Sequence, residues 1–245
     1  MKTILATLAI NSGSNGSRYL ECASRLIESY LKYTDFDILI LTNETSFFDK
    51  FEKKRLNVID YFSVFDEQII SGGKFNMHLK RYPILLASKL DYDMIYFHDC
   101  DCYIENWDMD SYIEKCNEDF DVAFVSHARP QLGGLRRSEY KHFQEKIDKE
   151  FIGLYYDELD NAPNPAETRV LFKNNEKIDA FLSFWDSISK NNKNYFISYD
   201  GVYFGTCAVH SKMKMTGVTK SDKFTEFCRV NHGNRLLNYF GVDII

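Results

Sequence analysis

The stretch Leu90-Asp-Tyr-Asp-Met-Ile-Tyr-Phe-His-Asp-Cys-Asp-Cys-Tyr-Ile104 decides how this chain reads. Asp91-Tyr-Asp93 ends a helix, Met94 to His98 is an apolar strand, and that strand runs straight into Asp99-Cys-Asp101. In extended chain, side chains at i and i+2 share a face, so Asp99 and Asp101 converge at the end of a buried strand. Adjacent like charges are unfavourable unless a cation neutralises them. Carboxylate oxygens suit hard cations such as Mn2+ or Mg2+, which keep open positions for substrate phosphates. Cys100 and Cys102 fall on the opposite face, which fits burial. The alternative is that the two aspartates only cap the strand and start a turn.

Upstream, Phe75, Leu79, Tyr82, Leu86 and Leu90 recur on one helical face. Pro83 interrupts it: either the helix starts there, with proline in its first turn, or it kinks. At the beginning of the chain, Lys2 to Ile10 reads as a strand that is apolar on both faces. A turn cluster, Asn11 to Ser17, is followed by helical spacing at Leu20, Ala23, Ile27 and Leu31, and Phe36 to Thr42 is a second buried strand. Strand–loop–helix–strand is the unit of a parallel sheet, whose ligands bind outside the carboxyl ends of the strands. The Asn11–Ser17 loop sits there. It carries neither GxGxxG nor a P-loop lysine pattern, so neither dinucleotide nor Walker-type binding is supported. Phe47 to Lys54 predicts an amphipathic helix and Asn57 to Phe65 a strand region. Ser71-Gly-Gly73 reads as a loop.

Downstream, Asp121 to Ser126 predicts a strand, His127 to Gly134 a loop, and Arg136 to Glu150 a charged stretch. Asn161-Ala-Pro-Asn-Pro165 is a second break. Glu167 to Lys173 predicts a strand, and Ile178 to Ile188 an amphipathic helix. No repeat or linker divides the chain. The expectation is one α/β domain over residues 1–245, a mixed, mostly parallel sheet flanked by helices.

Composition narrows the function classes. Lys and Arg number 30 against 36 Asp and Glu, a net charge of −6. A general nucleic-acid binder needs a basic face, so that class is excluded. With 44% hydrophobic and 16% aromatic residues in 245, the chain is not disordered and buries a substantial core. Its six cysteines include no CxxC pair and read as small buried hydrophobes in a reducing compartment. Ile4 to Ile10 could serve a minimal signal peptide, and Asn15 and Asn43 fit glycosylation sequons, but a core strand is the better reading. No apolar run approaches the ~20 residues that span a bilayer. The chain therefore reads as soluble and cytoplasmic, either complete or the catalytic domain of a longer protein, with its oligomeric state open.

The Leu90–Ile104 run resembles the DxD segment of GT-A-fold glycosyltransferases. It is most similar to the retaining type that includes glycogenin, bacterial lipopolysaccharide galactosyltransferases and, more distantly, the blood-group transferases. The resemblance implies a single Rossmann-like GT-A domain, with a nucleotide-sugar half (1–130) and an acceptor half (131–245). It implies that Asp99 and Asp101 hold a Mn2+ (or Mg2+) ion bearing the diphosphate of a UDP-sugar. It points to Lys80 and Arg81 as basic donor contacts, with a solvated helix face as the alternative. It points to Thr7, Ala9 and Asn11 around the nucleoside, with an ordinary turn as the alternative.

A third metal ligand in that family is often a histidine followed by glycine, which His232-Gly233 matches; His210 is the competitor. The family's Lys-Pro-Trp is replaced by Asn234-Arg-Leu, where Arg235 could substitute for the lysine. Its Asn-(Ala/Ser)-Gly strand is replaced by Pro165-Ala-Glu-Thr-Arg-Val-Leu-Phe172. Glu167 then faces the acceptor as nucleophile, base or acceptor ligand, or else pairs with Arg169. Asp200 resembles a later aspartate that binds donor sugar or acceptor, or else caps a helix.

The implied reaction is transfer of a hexose, galactose or glucose favoured, from a UDP-sugar to a glycan hydroxyl, with retention. The rivals are an inverting transferase using Glu167 or Asp200 as base, a nucleotidyltransferase, and a non-catalytic sugar-binding module. Only Arg18 lies near the first loop, which disfavours triphosphate chemistry. The loops His127–Gly134 and Tyr155–Pro165 are expected to shape the acceptor site.

Overall fold

Strands form where the sequence runs apolar on both faces. In the computed structural model, which describes residues 1–12, 17–71, 74–106, 119–131, 163–191, 200–219 and 230–232, β1 (Thr3–Ala9) is buried at every position. Helix α1 (Arg18–Tyr33), β2 (Asp37–Thr42) and β3 (Leu56–Asp60) follow. A one-turn helix α2 (Tyr61–Val64), the short strands β4 (Ile70–Ser71) and β5 (Lys74–Phe75), and helix α3 (Arg81–Ser88) lead to β6 (Met94–His98) and β7 (Cys102–Ile104). Then come β8 (Val122–Gln131), β9 (Pro163–Lys173), α4 (Glu176–Asn191), α5 (Asp200–His210), β10 (Met215–Thr219) and β11 (Val230–His232).

Seven strands make one sheet in the order β10-β8-β9-β6-β1-β2-β3. β6, β1, β2 and β3 are mutually parallel, and β10 is parallel to β8. β9 alone runs antiparallel, between β6 and β8. The expected mixed, mostly parallel sheet is therefore present. Helix α1 covers one face, packing Leu20, Leu26 and Ile27 with Leu5, Ile38 and Ile40. The other face is covered by α3, α4 and α5, through Ile84, Phe181, Trp185 and Phe204 against Ile95, Phe97 and Phe172. Each such side chain, fully buried, contributes about 1.5–3 kcal/mol.

The chain winds outward from β1 to β3, then returns to set β6 on the other side of β1. The order reverses between β1 and β6. A crevice opens outside the carboxyl ends of strands at such a reversal.

Several expectations need correction. Phe47–Lys54 is not a helix; only a 3-10 turn, Thr45–Phe48, forms. Phe48 is drawn fully into the core, and the chain goes on through the tight turn bond Phe51 N–H to Phe48 O. The strand region expected at Asn57–Phe65 stops at Asp60. There Tyr61 turns inward beneath the sheet edge and donates its hydroxyl to Glu67 O at 2.7 Å. The long face from Phe75 to Leu90 splits into a 3-10 turn, Met77–Lys80, and α3. Pro83 then stands in the first turn of α3, so the helix is not kinked.

His127–Gln131 continues β8, and β9 begins at Pro163, four residues before Glu167. The prolines at 130, 163 and 165 lack an N–H, and the ladder between these strands shifts register here, as prolines in sheets require. Residues 132–134, 136–150, 155–162 and 72–73 lie outside the described residues, so the expected acceptor loops and charged stretch are not described.

β1 is hydrogen-bonded on both sides at the heart of the sheet, which accounts for Ile4–Ile10 as core. No helix among the described residues is long and apolar enough to cross a membrane. Cys22, Cys100, Cys102 and Cys207 are buried and free; Cys116 and Cys228 lie outside the described residues.

Candidate active site

A cleft of about 260 Å³ opens at the reversal between β1 and β6. Leu8, Ile10 and Ser12 line it from the carboxyl end of β1, and Tyr19 from the first turn of α1. Phe75 and Met77 form an apolar wall. Lys80, Asp99, Cys100 and Asp101 form the polar end.

Asp99 to Cys102 is a β-turn, with Cys102 N–H donating to Asp99 O at 3.3 Å. The expected extended geometry is thus corrected. Asp99 and Asp101 both reach the cleft because the chain folds back between them. For the same reason Cys100 lines the cleft and is not hidden on an opposite face. Burial pushes the Cys100 and Cys102 thiols up, and the neighbouring Asp101 and Asp99 charges add to it.

Lys80 ends the 3-10 turn before α3. Its ammonium lies 2.7 Å from Oδ1 and 3.0 Å from Oδ2 of Asp99. The two side chains are only 10% and 16% exposed, so water screens the pair weakly. The 3-10 turn is itself fixed by Asn76, whose side chain accepts from His78 N–H at 3.1 Å.

His98, immediately before Asp99, is fully buried. Its Nδ1 lies 3.0 Å from Asp99 O. A carbonyl only accepts, so Nδ1 carries the hydrogen and steadies the turn. Nε2 has no hydrogen-bond partner among the described residues. Burial, with the nearby Arg169 charge, pushes the imidazole down to about 3, so the ring is neutral. Thr7 Oγ1 donates to His98 O at 2.7 Å. Behind the turn, β7 rests on α1 through Ile104 N–H to Ser29 Oγ at 3.2 Å.

At the mouth, Asn11 and Asn43 form a reciprocal pair: Asn11 N–H donates to Asn43 Oδ1 at 2.8 Å, and Asn43 Nδ2 to Asn11 O at 2.9 Å. Asn43 is thereby engaged in holding two loops together, which argues against it as a glycan acceptor; Asn15 lies outside the described residues.

The sequence matches no family model and no curated protein. Solved structures do match. An active-site mutant of LgtC superposes with a TM-score of 0.50 at 11% identity, over 89% of this chain and 72% of that one. Apo mouse xyloside xylosyltransferase 1 gives 0.51 at 11% identity, over 89% and 84%.

The chain has the GT-A fold. At 11% identity the fold is what is shared.

On the GT-A frame the remaining candidates separate. Backbone pairing of β11 with β7 sets His232 opposite Cys102, one residue from Asp101. Gly233 to Leu236 lie outside the described residues. β9 pairs with β6 as far as Arg169 opposite His98, and Glu167 stands two residues further on, past the carboxyl end of β6. Asp200 is the first residue of α5. The fold thus carries His232 and Glu167 toward the DxD end of the sheet.

His210 is elsewhere. It ends α5, stacked 3.6 Å from Phe184, before the chain enters β10. β10 begins beside Val122, at the amino ends of the parallel strands, away from the cleft. Arg81 is also elsewhere. It is buried, and donates to Glu67 at 2.6 Å, Asp186 at 3.1 Å and His78 O at 2.7 Å. Thr7 and Ala9 are fully buried and sit one position off the lining register of Leu8, Ile10 and Ser12. A one-residue step changes face in a strand. Asn11 braces the rim.

Tyr19 lines the cleft and His98 holds the Asp99 turn from behind; neither was named from the sequence. Tyr19 lies off the Leu20–Ala23–Ile27–Leu31 stripe, at a helix start facing strand ends, and that is its available signal. Its hydroxyl pKa is raised by burial and then by Asp101.

Proposed function

We propose that this protein is a metal-dependent glycosyltransferase moving a hexose, galactose or glucose, from a UDP-sugar to a carbohydrate hydroxyl. The observation that carries this is the grouping of Asp99, Asp101 and Lys80 in one cleft at the strand reversal of a GT-A sheet. Two carboxylates half-shielded from water, with the Lys80 ammonium beside them, form a donor set suited to a hard divalent cation, Mn2+ or Mg2+. Asp99 and Asp101 would hold it, with His232 as the third ligand. When bound, the ion supplies Lewis-acid neutralisation of charge growing on the leaving diphosphate.

The chain's own groups do the rest. Lys80 adds a fixed positive charge at the diphosphate end. Tyr19 offers an aromatic face to the nucleoside base, with Phe75 and Met77 excluding water on the other wall. The sugar carbon passes through an oxocarbenium-like state. Glu167 and Asp200 are the carboxylates for the acceptor side. With retention, the acceptor hydroxyl attacks from the face the diphosphate leaves, or one of these carboxylates forms a covalent intermediate; with inversion, one takes the acceptor proton. Retention is favoured by the DxD resemblance. The buried free thiols fit a reducing compartment such as the cytoplasm.

Calorimetry with UDP, with and without Mn2+, is the direct test. Metal-dependent UDP binding that Asp101→Ala abolishes is expected. Metal-independent binding unchanged by that substitution overturns the metal reading of Asp99 and Asp101. UDP release across UDP-glucose, UDP-galactose and their N-acetyl forms names the donor, and product NMR gives the anomeric outcome.

A further inference from the structure

Asp99 and Asp101 are separated by one residue in a tight turn, and neither is fully exposed. Like charges so placed need a cation nearby. The Lys80 ammonium is such a cation: it spans both oxygens of Asp99, at 2.7 and 3.0 Å. It is a tethered cation on a braced element. Asn76 caps the turn that carries it, and the next residue, Arg81, is anchored to Glu67 and Asp186. A metal ion arriving alone at Asp99 must therefore take over oxygens that a pre-positioned ammonium holds.

We propose that Lys80 stands in for the metal at Asp99 and thereby couples metal binding to diphosphate binding. A diphosphate offers the ammonium a new anionic partner and frees Asp99 for the metal. The metal in turn releases Lys80 toward the diphosphate. Linkage makes the effect reciprocal: each ligand strengthens the other by the same factor. This rests on the metal reading of Asp99 and Asp101 above.

The test is Mn2+ binding to metal-stripped protein, read by electron paramagnetic resonance of free Mn2+, with and without UDP. In the wild type, UDP tightens Mn2+ by about tenfold or more. In Lys80→Met, Mn2+ alone binds tighter than in the wild type by about tenfold, and the tightening by UDP shrinks. Lys80→Gln, which keeps a donor and loses the charge, moves the same way; circular dichroism checks that both variants fold. A lysine that only gripped phosphate would leave binding of Mn2+ alone unchanged, and one that only shaped the turn would weaken it. Either result overturns the proposal. Asp101→Asn separates the two levels: if the wild type binds no Mn2+ with UDP present, or Asp101→Asn binds it equally well, the metal reading itself falls, and this inference with it.

Discussion

Thr7 Oγ1 donates a 2.7 Å hydrogen bond to the carbonyl oxygen of His98. The two residues are 91 positions apart and both fully buried. They sit on β1 and β6, the strands that flank the reversal, so the bond ties the platform of the Asp99 turn to the centre of the sheet. Thr7→Val keeps the shape and deletes the donor. It should cost about 1–2 kcal/mol in urea unfolding and weaken UDP–Mn2+ binding. Unchanged binding would remove Thr7 from any role in the site.

His98 holds the turn from the other side, through Nδ1–H to Asp99 O. His98→Phe keeps a ring against Tyr30 and Tyr96, whose centroids lie 5.6 and 5.7 Å away. It deletes the hydrogen bond. Groups that orient metal-ligating residues typically contribute about 10–100-fold in metal affinity, and a loss near the lower end is expected. Asn places its side-chain amide where Nδ1 stood, so His98→Asn should recover part of it. Equal Mn2+ titrations of the Phe and Asn variants would count against this bond.

Tyr19→Ala removes the aromatic wall beside Ser12 and Asp101. Stacking of a base on an aromatic ring is worth about 1–3 kcal/mol, and UDP affinity by calorimetry should fall accordingly. Tyr19→Phe keeps the ring face and should bind UDP as the wild type does. If the Ala variant also binds normally, the nucleoside lies elsewhere.

Arg81 is predicted to matter for folding and not for the donor. Arg81→Met leaves Glu67 and Asp186 without their buried guanidinium partner. Because those carboxylates stay partly exposed, the loss should be about 2 kcal/mol, below that of a fully buried pair. The UDP dissociation constant, measured well below the melting temperature, should not move. A raised constant would return Arg81 to the site.

Acid stability follows from the same network. Burial pushes the Glu67 carboxyl up, but the Arg81 charge and hydrogen bonds from Tyr82, Asn76 and Arg81 outweigh it and hold it below the ordinary range. The folded form thus binds its proton less readily than the unfolded chain. That stabilisation is fully present above the unfolded value, about 4.3, and is lost as pH falls through the folded one. Asp121 and Asp186 act in the same direction. Urea midpoints should drop below about pH 4.5, and Glu67→Gln should flatten that limb. A wild-type limb no steeper than the variant's would refute the assignment.

Some elements are legible in the sequence because their signals are local. β1, α1 and β2 alternate apolar runs and helical spacing within a few residues of one another, and all three form. The apolar run into Asp99 marks β6 and the cleft end of the sheet. Phe47–Lys54 misleads because Phe47, Phe48 and Phe51 satisfy a helical face and successive tight turns equally well; burial of Phe48 under the sheet decides it. His127–Gln131 and Pro163–Pro165 mislead because prolines signal breaks, yet a ladder with register shifts accommodates them.

By itself, then, the sequence determined that β1, β2 and β6 are buried strands and that two aspartates end one of them, since both follow from residue type and spacing. Which neighbours those aspartates meet was decided by tertiary structure. Lys80 and Arg81 are adjacent and alike in charge, and no spacing rule separates them. A helical step turns successive side chains by about 100°, so once α3 lies against α4, Lys80 faces Asp99 in the cleft while Arg81 faces Glu67 and Asp186. The strand order brings Thr7 beneath His98 in the same way, because only the return of the chain past β1 puts residues 91 positions apart within reach of one hydrogen bond.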